Sequence, residues 1–160
     1  MVISRAGVDL HIVSMKKKMN KNTSDQDKQK NERQQQKFLE IISEYKENPQ
    51  KYLLILNETI SENPDQTFWR QLRAEIRFEN PETLEDAIKD WTYLIEAKPE
   101  DPKNFYWRSL SHEKIGDIET AVDDIHNAHK LDDGHKYFSE LIRLLIKAER
   151  IEESLALVNQ

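Results

Sequence analysis

The sequence predicts an all-α chain that folds as a stack of about four antiparallel helix hairpins. From Phe38 onward, apolar residues recur at the three- and four-residue spacing of an amphipathic helix. Residue pairs that stop one helix and start the next, chiefly Asn-Pro and Gly-Asp, interrupt this pattern after each helix length. A short motif also returns about every 34 residues, which indicates copies of one helical unit.

Composition divides the chain into a basic arm and an acidic body. Residues 1–37 carry nine Lys/Arg and four Asp/Glu, a net charge of +5, so residues 38–160 carry −11 of the total of −6. Residues 20–37 contain no apolar side chain, and burial therefore cannot offset the entropy of ordering them. We expect a disordered basic N-terminal arm over 1–37, with helix favoured in its last part, KNERQQQK, and a helical repeat domain over 38–160.

The remaining composition narrows the class of protein. The chain has no cysteine, which excludes disulfides and cysteine metal sites. No apolar run approaches the roughly 20 residues that span a bilayer. The N-terminal segment is interrupted by Arg5, Asp9 and His11, which argues against a secretory signal, so we expect a cytoplasmic protein.

The apolar pattern predicts eight helices, and proline pairs bound the first five. The helices cover approximately residues 38–47, 49–62, 65–79, 83–98, 102–115, 117–131, 135–148 and 151–158. YLLIL in the second has the composition of a strand, but the apolar stripe around it has helical spacing. Thr83 and Asp86 resemble a capping box at the start of the fourth helix. The proline pairs are Asn48-Pro49, Asn63-Pro64, Asn80-Pro81, Lys98-Pro99 and Asp101-Pro102.

Glycines separate the last helices. Gly116 can adopt the left-handed conformation that ends a helix, and Asp117 can cap the helix that follows. Gly134 ends the sixth helix. Phe138 begins the apolar stripe of the seventh helix, and Ile151 begins that of the eighth.

The repeat is visible in three segments that share glutamate, any residue, alanine or serine, and an aliphatic residue. The small residues of this motif, Ala87, Ala121 and Ser154, are 34 and 33 positions apart. Tandem hairpins with this period resemble the tetratricopeptide repeat (TPR) family, most closely over residues 105–133. The resemblance implies a right-handed superhelical stack, a TPR-like α-solenoid, whose first helices line a concave groove for a partner peptide or helix. Unrelated helical hairpins of similar length are the alternative interpretation.

The register of the family assigns one face of the first helices to that groove. An exposed apolar and aromatic strip there would suit a peptide or a helix. Alternatively, Phe78, Tyr106 and Leu110 belong to the core. The Lys/Asn pattern with which some TPR domains bind a terminal carboxylate is missing. The resemblance implies these groove residues: Gln71, Glu75, Phe78, Tyr106, Leu110, Glu113, Ser139 and Arg143.

Other candidate sites have simpler explanations. His126 and His129 share a helix face and could chelate zinc with Asp123 or His135, but scattered histidines more often form a polar helix surface. We therefore predict no metal site and no cofactor. The sequence has no glycine-rich phosphate loop and no nucleophile next to a base, so we predict no enzyme activity. The tryptophans are predicted core residues: Trp69, Trp91 and Trp107.

These observations predict a non-catalytic protein–protein interaction adaptor. The alternative function is that of a nucleic-acid- or membrane-associated accessory protein that uses the basic arm, although no aromatic residue stands among its lysines. The final hairpin is also expected to present an apolar edge that forms a homodimer or docks on a partner. The residues of that expected edge are Leu141, Leu144, Leu145, Ile146, Ile151, Leu155 and Val158.

Overall fold

In the described part of the chain, the computed structural model contains seven α-helices with defined bounds and no strand. Two units are present, Met1–Pro64 and Asp65–Gln160. The structure describes residues 29, 32, 33, 36, 37, 39, 48–132 and 134–159.

The first unit contains helix α1, Pro49–Glu62. Asn48 caps it as predicted, because its Oδ1 accepts a hydrogen bond from the backbone N–H of Lys51 at 3.1 Å. Tyr52, Leu56 and Ile60 are buried at four-residue spacing, so the strand-like YLLIL segment is helical, as predicted.

Most of the predicted arm, and all of the predicted first helix except Leu39, lie outside the described residues. Where the arm is described its backbone is helical, which agrees with the helix preference of KNERQQQK. Lys37 Nζ lies 3.2 Å from Glu62 Oε2. The boundary at residue 37 stays a prediction.

The second unit contains three antiparallel hairpins, α2/α3, α4/α5 and α6/α7. Each helix packs against the helix that follows it. A short 3₁₀ helix, Pro81–Thr83, joins α2 to α3. The helices are α2 Thr67–Glu79, α3 Leu84–Ala97, α4 Pro102–Ile115, α5 Ile118–Leu131, α6 His135–Lys147 and α7 Ile151–Val158.

The turn of the second hairpin has the predicted chemistry. Gly116 is left-handed, with φ 89°, and its N–H bonds to the carbonyl of Glu113 at 3.1 Å. Asp117 accepts a hydrogen bond from the N–H of Thr120 at 3.3 Å and caps α5. Asp101 caps α4 in the same way through the N–H of Lys103 at 3.1 Å.

The capping box predicted at Thr83 is wrong. Thr83 accepts no capping hydrogen bond, and its hydroxyl instead donates to the carbonyl of Arg77 at 2.8 Å. Asn80 is the cap, because its Oδ1 accepts from the N–H of Glu82 at 3.0 Å. Pro81 starts the 3₁₀ helix one residue after Asn80, and this leaves Thr83 inside the helical run.

Small residues lie where the two helices of a hairpin approach each other. Ala74 and Ala87 are fully buried in the first hairpin. In the second, Ser109 is 1% exposed and its Oγ donates to the carbonyl of Ala121 at 2.7 Å. This contact between side chain and backbone requires the close approach that the repeat motif predicts.

Tryptophans fill the space between the first two hairpins, as predicted. Trp91 is fully buried and stacks on Trp107, with ring centroids 5.9 Å apart and an interplanar angle of 8°. Trp69 on α2 is also buried. A second core cluster joins α5 to α6 and consists of Ala121, Val122, Ile125, Ala128, Tyr137, Leu141, Leu144 and Leu145.

Candidate partner-binding surface

The residues predicted for the groove all lie on the first helices of the three hairpins, and none is fully buried. Ser139 and Arg143 are exposed, and the other six are half-buried. We call this face the first-helix surface. It consists of Gln71, Glu75 and Phe78 on α2, Tyr106, Leu110 and Glu113 on α4, and Ser139 and Arg143 on α6.

Two half-buried aromatic rings on this surface each carry a lysine ammonium group. Lys114 Nζ lies 3.5 Å from the ring centroid of Phe78 and donates to the carbonyl of Phe78 at 2.8 Å. Lys136 Nζ lies 3.9 Å from the ring centroid of Tyr106. Because Lys114 is on α4 and Lys136 on α6, each cation–π contact joins the first helices of neighbouring hairpins.

Edge-on aromatic contacts support both rings from beneath. Phe78 meets Trp107 with centroids 5.3 Å apart at 78°, and Tyr106 meets Tyr137 at 5.7 Å and 64°. The rings are thus anchored on the core and still reach the surface. The contacts of Phe78 and Tyr106 with the core agree with the alternative interpretation, and their role in a groove stays a prediction.

Glu113 and Arg143, predicted on different helices of the groove, form an ion pair. Arg143 Nη1 and Nη2 each donate to Glu113 at 2.7 Å, and Lys147 Nζ donates to the same carboxylate at 2.8 Å. These bonds hold the pKa of Glu113 at about 2, and the same carboxylate raises the pKa of Arg143. Sequence reasoning missed Lys147, although it lies one helical turn after Arg143.

Two other polar residues of the first-helix surface, Gln71 and Ser139, bond within their own helices. Gln71 Nε2 donates to Glu75 Oε1 at 2.9 Å. The hydroxyl of Ser139 donates to the carbonyl of His135 at 2.7 Å.

In each of the first two hairpins, a buried aspartate joins one helix to the other. Sequence reasoning missed both aspartates. Asp90 on α3 is 2% exposed and accepts bonds from Arg73 Nε at 2.9 Å, from Arg73 Nη2, and from Arg77 Nη1 at 2.7 Å. Arg70 Nη1 lies 3.8 Å from the same carboxylate. Three arginines of α2 therefore surround one carboxylate of α3.

The second hairpin repeats this arrangement. Asp124 is 2% exposed and accepts from Arg108 Nε at 2.8 Å and Arg108 Nη2 at 2.7 Å, the same two donor atoms that Arg73 uses. Arg108 Nη1 also donates to Thr92 Oγ1 at 3.1 Å, which links α4 to α3. The repeat carries a signal that could have revealed these buried Arg–Asp pairs, since the aspartates are 34 residues apart and the arginines 35.

Leucines take these places in the third hairpin. Counting 33 residues from Arg108 and Asp124 gives Leu141 and Leu157, which pack in the same core cluster. An open cavity of about 210 Å³ lies between α5, α6 and α7. Its lining residues are Val122, His126, Leu141, Leu145, Arg150, Glu153, Ala156 and Leu157.

The two histidines considered for zinc, His126 and His129, have different surroundings. His126 is exposed at the rim of the cavity, and partial burial followed by the nearby Lys130 lowers its pKa. His129 packs against the ring of Phe138, with centroids 5.6 Å apart. Among the residues that the structure describes, no three His, Asp or Glu side chains are grouped closely enough to hold a metal ion.

The predicted apolar edge of the final hairpin is smaller than expected. Leu141, Leu144 and Leu145 are buried, because α6 packs them against α5. Four residues remain exposed, by 53%, 46%, 56% and 60% respectively: Ile146, Ile151, Leu155 and Val158. No helix within the described ranges is both long and apolar enough to cross a membrane.

Similarity to known proteins is found in the fold. No family model matches the sequence, and no curated protein matches it. The structure of MamA 41-end from Desulfovibrio magneticus RS-1 has a TM-score of 0.63 at 14% identity, over 79% of this chain and 69% of that chain. MamA AMB-1 has a TM-score of 0.65 at 15% identity, over 98% and 82%.

A thermophilic TPR protein in Thermus thermophilus has a TM-score of 0.58 at 18% identity, over 94% of this chain and 79% of that chain. At such low identities the likeness concerns the fold alone. The all-α hairpin repeat predicted from the sequence is confirmed, and the chain has a TPR-like fold.

Proposed function

We propose that this protein is a non-catalytic adaptor that binds a peptide or helix of a partner protein on its first-helix surface. The observation that carries the proposal is the pair of anchored, half-exposed rings, Phe78 and Tyr106, on neighbouring first helices. Rigid aromatic side chains lose little entropy on binding and are enriched in protein interfaces. Such binding requires surface complementarity and no catalytic group.

The choice of this surface over the second helices rests on its composition. Aromatic and aliphatic side chains are present there together with an amide, a hydroxyl and charged groups, and protein interfaces combine such groups. Leu110, half-buried between Tyr106 and Glu113 on α4, adds aliphatic area. A partner helix or extended peptide would bury these side chains together.

The test is affinity capture from native lysate with wild type and Tyr106→Ala/Leu110→Ala, each checked for unchanged helicity by circular dichroism. Leu131→Ala is the matched control, since it removes a 44% exposed leucine from the second helix α5. We expect the double variant to lose a specific partner that the control retains. Equal recovery by wild type and the double variant would overturn the proposal.

We further propose that a second copy of the chain covers the exposed residues of the final hairpin. Four large apolar side chains lie within thirteen positions of α6 and α7, from Ile146 to Val158. Their burial between two copies would remove this apolar area from water.

A further inference from the structure

In the second unit, positive and negative charges are concentrated on different helices. The first helices α2, α4 and α6 carry nine Lys/Arg and four Asp/Glu, a net charge of +5. The second helices α3, α5 and α7 carry two Lys/Arg and nine Asp/Glu, a net charge of −7. The two helices of every hairpin thus carry net charges of opposite sign.

Internal pairing explains only part of this difference. Arg73–Asp90 and Arg108–Asp124 neutralise each other inside the hairpins, and without them the first helices carry +3 and the second helices −5. The remaining charges lie largely on side chains that reach solvent. Without the pairs, α2 carries no net charge, α4 carries +1 and α6 carries +2, so the excess of positive charge lies on α4 and α6.

The carboxylates on α4 and α6 do not balance the exposed lysines. Glu113 and Glu140 both bond to Arg143. Among described residues, no carboxylate lies within ion-pair distance of Lys103, Lys114 or Lys136.

Lys114 and Lys136 lie against the aromatic rings, and Lys103 is near enough to Lys136 to affect its pKa. The pKa of Lys136 is lowered, first by partial burial and then by the positive charge of Lys103. Lys136 lies over Tyr106 and Lys114 over Phe78. Three lysines without an ion-pair partner among the described residues and the two anchored rings thus form one strip, which consists of Lys103, Lys114, Lys136, Phe78 and Tyr106.

We propose that the segment bound by the first-helix surface is acidic, with Asp or Glu side chains that meet Lys103, Lys114 and Lys136. Apolar side chains of the same segment pack beside Phe78 and Tyr106. This inference rests on the proposed function and names the chemistry of its partner. Carboxylates gain most from lysines that have no ion-pair partner, because no existing ion pair must be broken.

Protein carboxylates fit this strip better than nucleic acid does. A duplex presents one phosphate charge per roughly 1.7 Å and needs a longer series of cations. Base stacking needs an open ring face, and ammonium groups already lie over Phe78 and Tyr106. The net −7 on the second helices also repels an extended polyanion.

The test selects peptides from a random 12-residue display library on the full chain. Fluorescein-labelled copies of the selected peptides are then titrated by anisotropy at low and moderate salt. The binding variant is Lys103→Glu/Lys136→Glu. The control is Lys89→Glu/Lys130→Glu, which changes the net charge equally but on the second helices.

We expect Asp and Glu to be enriched in the selected peptides and the affinity to fall as salt rises. Lys103→Glu/Lys136→Glu should weaken binding about tenfold or more, because two attractions become repulsions that are each worth a severalfold change at low salt. The control should change affinity less than about twofold, since its lysines lie outside the strip.

Three results would overturn the inference and are distinguishable. Peptides that lose binding to Tyr106→Ala/Leu110→Ala but are not acidic, and that bind Lys103→Glu/Lys136→Glu like wild type, would refute the acidic partner and leave the proposed function intact. If no selected peptide depends on Tyr106 and Leu110, the proposed function fails as well. If a twelve-nucleotide oligouridylate binds as tightly as the peptides, with the same dependence on Lys103 and Lys136, the surface belongs to nucleic acid.

Discussion

Replacing the buried pair Arg108–Asp124 by two leucines should leave the free energy of unfolding nearly unchanged, although each single replacement should lower it strongly. The third hairpin already has this arrangement, with Leu141 and Leu157 at the corresponding places. A hydrophobic pair of similar volume is often neutral or stabilising, whereas removal of one partner from a buried pair costs about 3–5 kcal/mol. The proposed variants are Asp124→Leu, Arg108→Leu and their combination.

The loss of stability in each single variant depends on how exposed the remaining charged side chain is. Asp124→Leu leaves Arg108, whose side chain is 19% exposed and partly hydrated, so about 3 kcal/mol is expected. Arg108→Leu leaves Asp124, whose side chain is 3% exposed, so about 4 kcal/mol is expected. The double variant should lie within about 1 kcal/mol of wild type, which gives a coupling energy well above 3 kcal/mol.

Urea unfolding measured by circular dichroism provides the assay. At an m-value of about 2 kcal/mol/M, a loss of 3 kcal/mol lowers the midpoint by about 1.5 M. The matched control is Asp86→Leu/Lys89→Leu, a pair at 2.8 Å whose side chains are 46% and 73% exposed, with an expected coupling below about 1 kcal/mol. The reasoning is refuted if the double variant loses as much as the two single variants together.

Three further predictions concern pH, the turn and assembly. Glu113→Gln should cost about 1–2 kcal/mol at neutral pH, a value reduced by the 44% exposure of Arg143. Because the pKa of Glu113 is lowered from 4.5 to about 2, this difference is fully present above pH 4.5 and disappears as pH falls through about 2, which urea titrations across this range will show. Gly116→Ala should destabilise by about 1–2 kcal/mol through backbone strain alone, since no atom lies within 4 Å of the added Cβ; a cost below 0.5 kcal/mol by the same assay would contradict this. Light scattering at high concentration should give wild type twice the mass of the 19.0 kDa chain and Leu155→Glu a single chain; a strictly monomeric wild type rules out the homodimer.

Helix bounds were predictable because residues with distinctive backbone preferences stand at the ends of the helices. The ring of Pro102 fixes φ at the start of this helix, and Gly116 can adopt the left-handed conformation that ends it, so the helix between them has the predicted bounds. The wrong prediction of a capping box at Thr83 also arises from residues of this kind. Two capping signals, Asn80-Pro81 and Thr83, stand three residues apart, and the pair with proline prevails because its ring fixes the backbone first.

The buried Arg–Asp pairs were not predictable from composition, because about a third of all residues are charged and most lie at the surface. Asp124 adjoins Asp123, which is exposed, and only the phase of the helix distinguishes them. The eight residues predicted for the groove lie on α2, α4 and α6, as the phase of the repeat indicates, and their role in binding stays a prediction. Their contacts across hairpins, such as Arg143 with Glu113, depend on helix separations that no sequence spacing specifies.

The buried Arg–Asp pairs also limit how far the two helices of the first hairpin, and those of the second, can slide past each other. A bidentate bond between Arg73 and Asp90 tolerates little displacement, and a shift of one helical turn, about 5.4 Å, would leave a charge buried alone. Leu141 and Leu157 impose no such condition, because dispersion contacts can be exchanged one for another. When the chain is pulled, sliding of helices should therefore begin in the third hairpin, while the helices of the first two hairpins keep their relative positions.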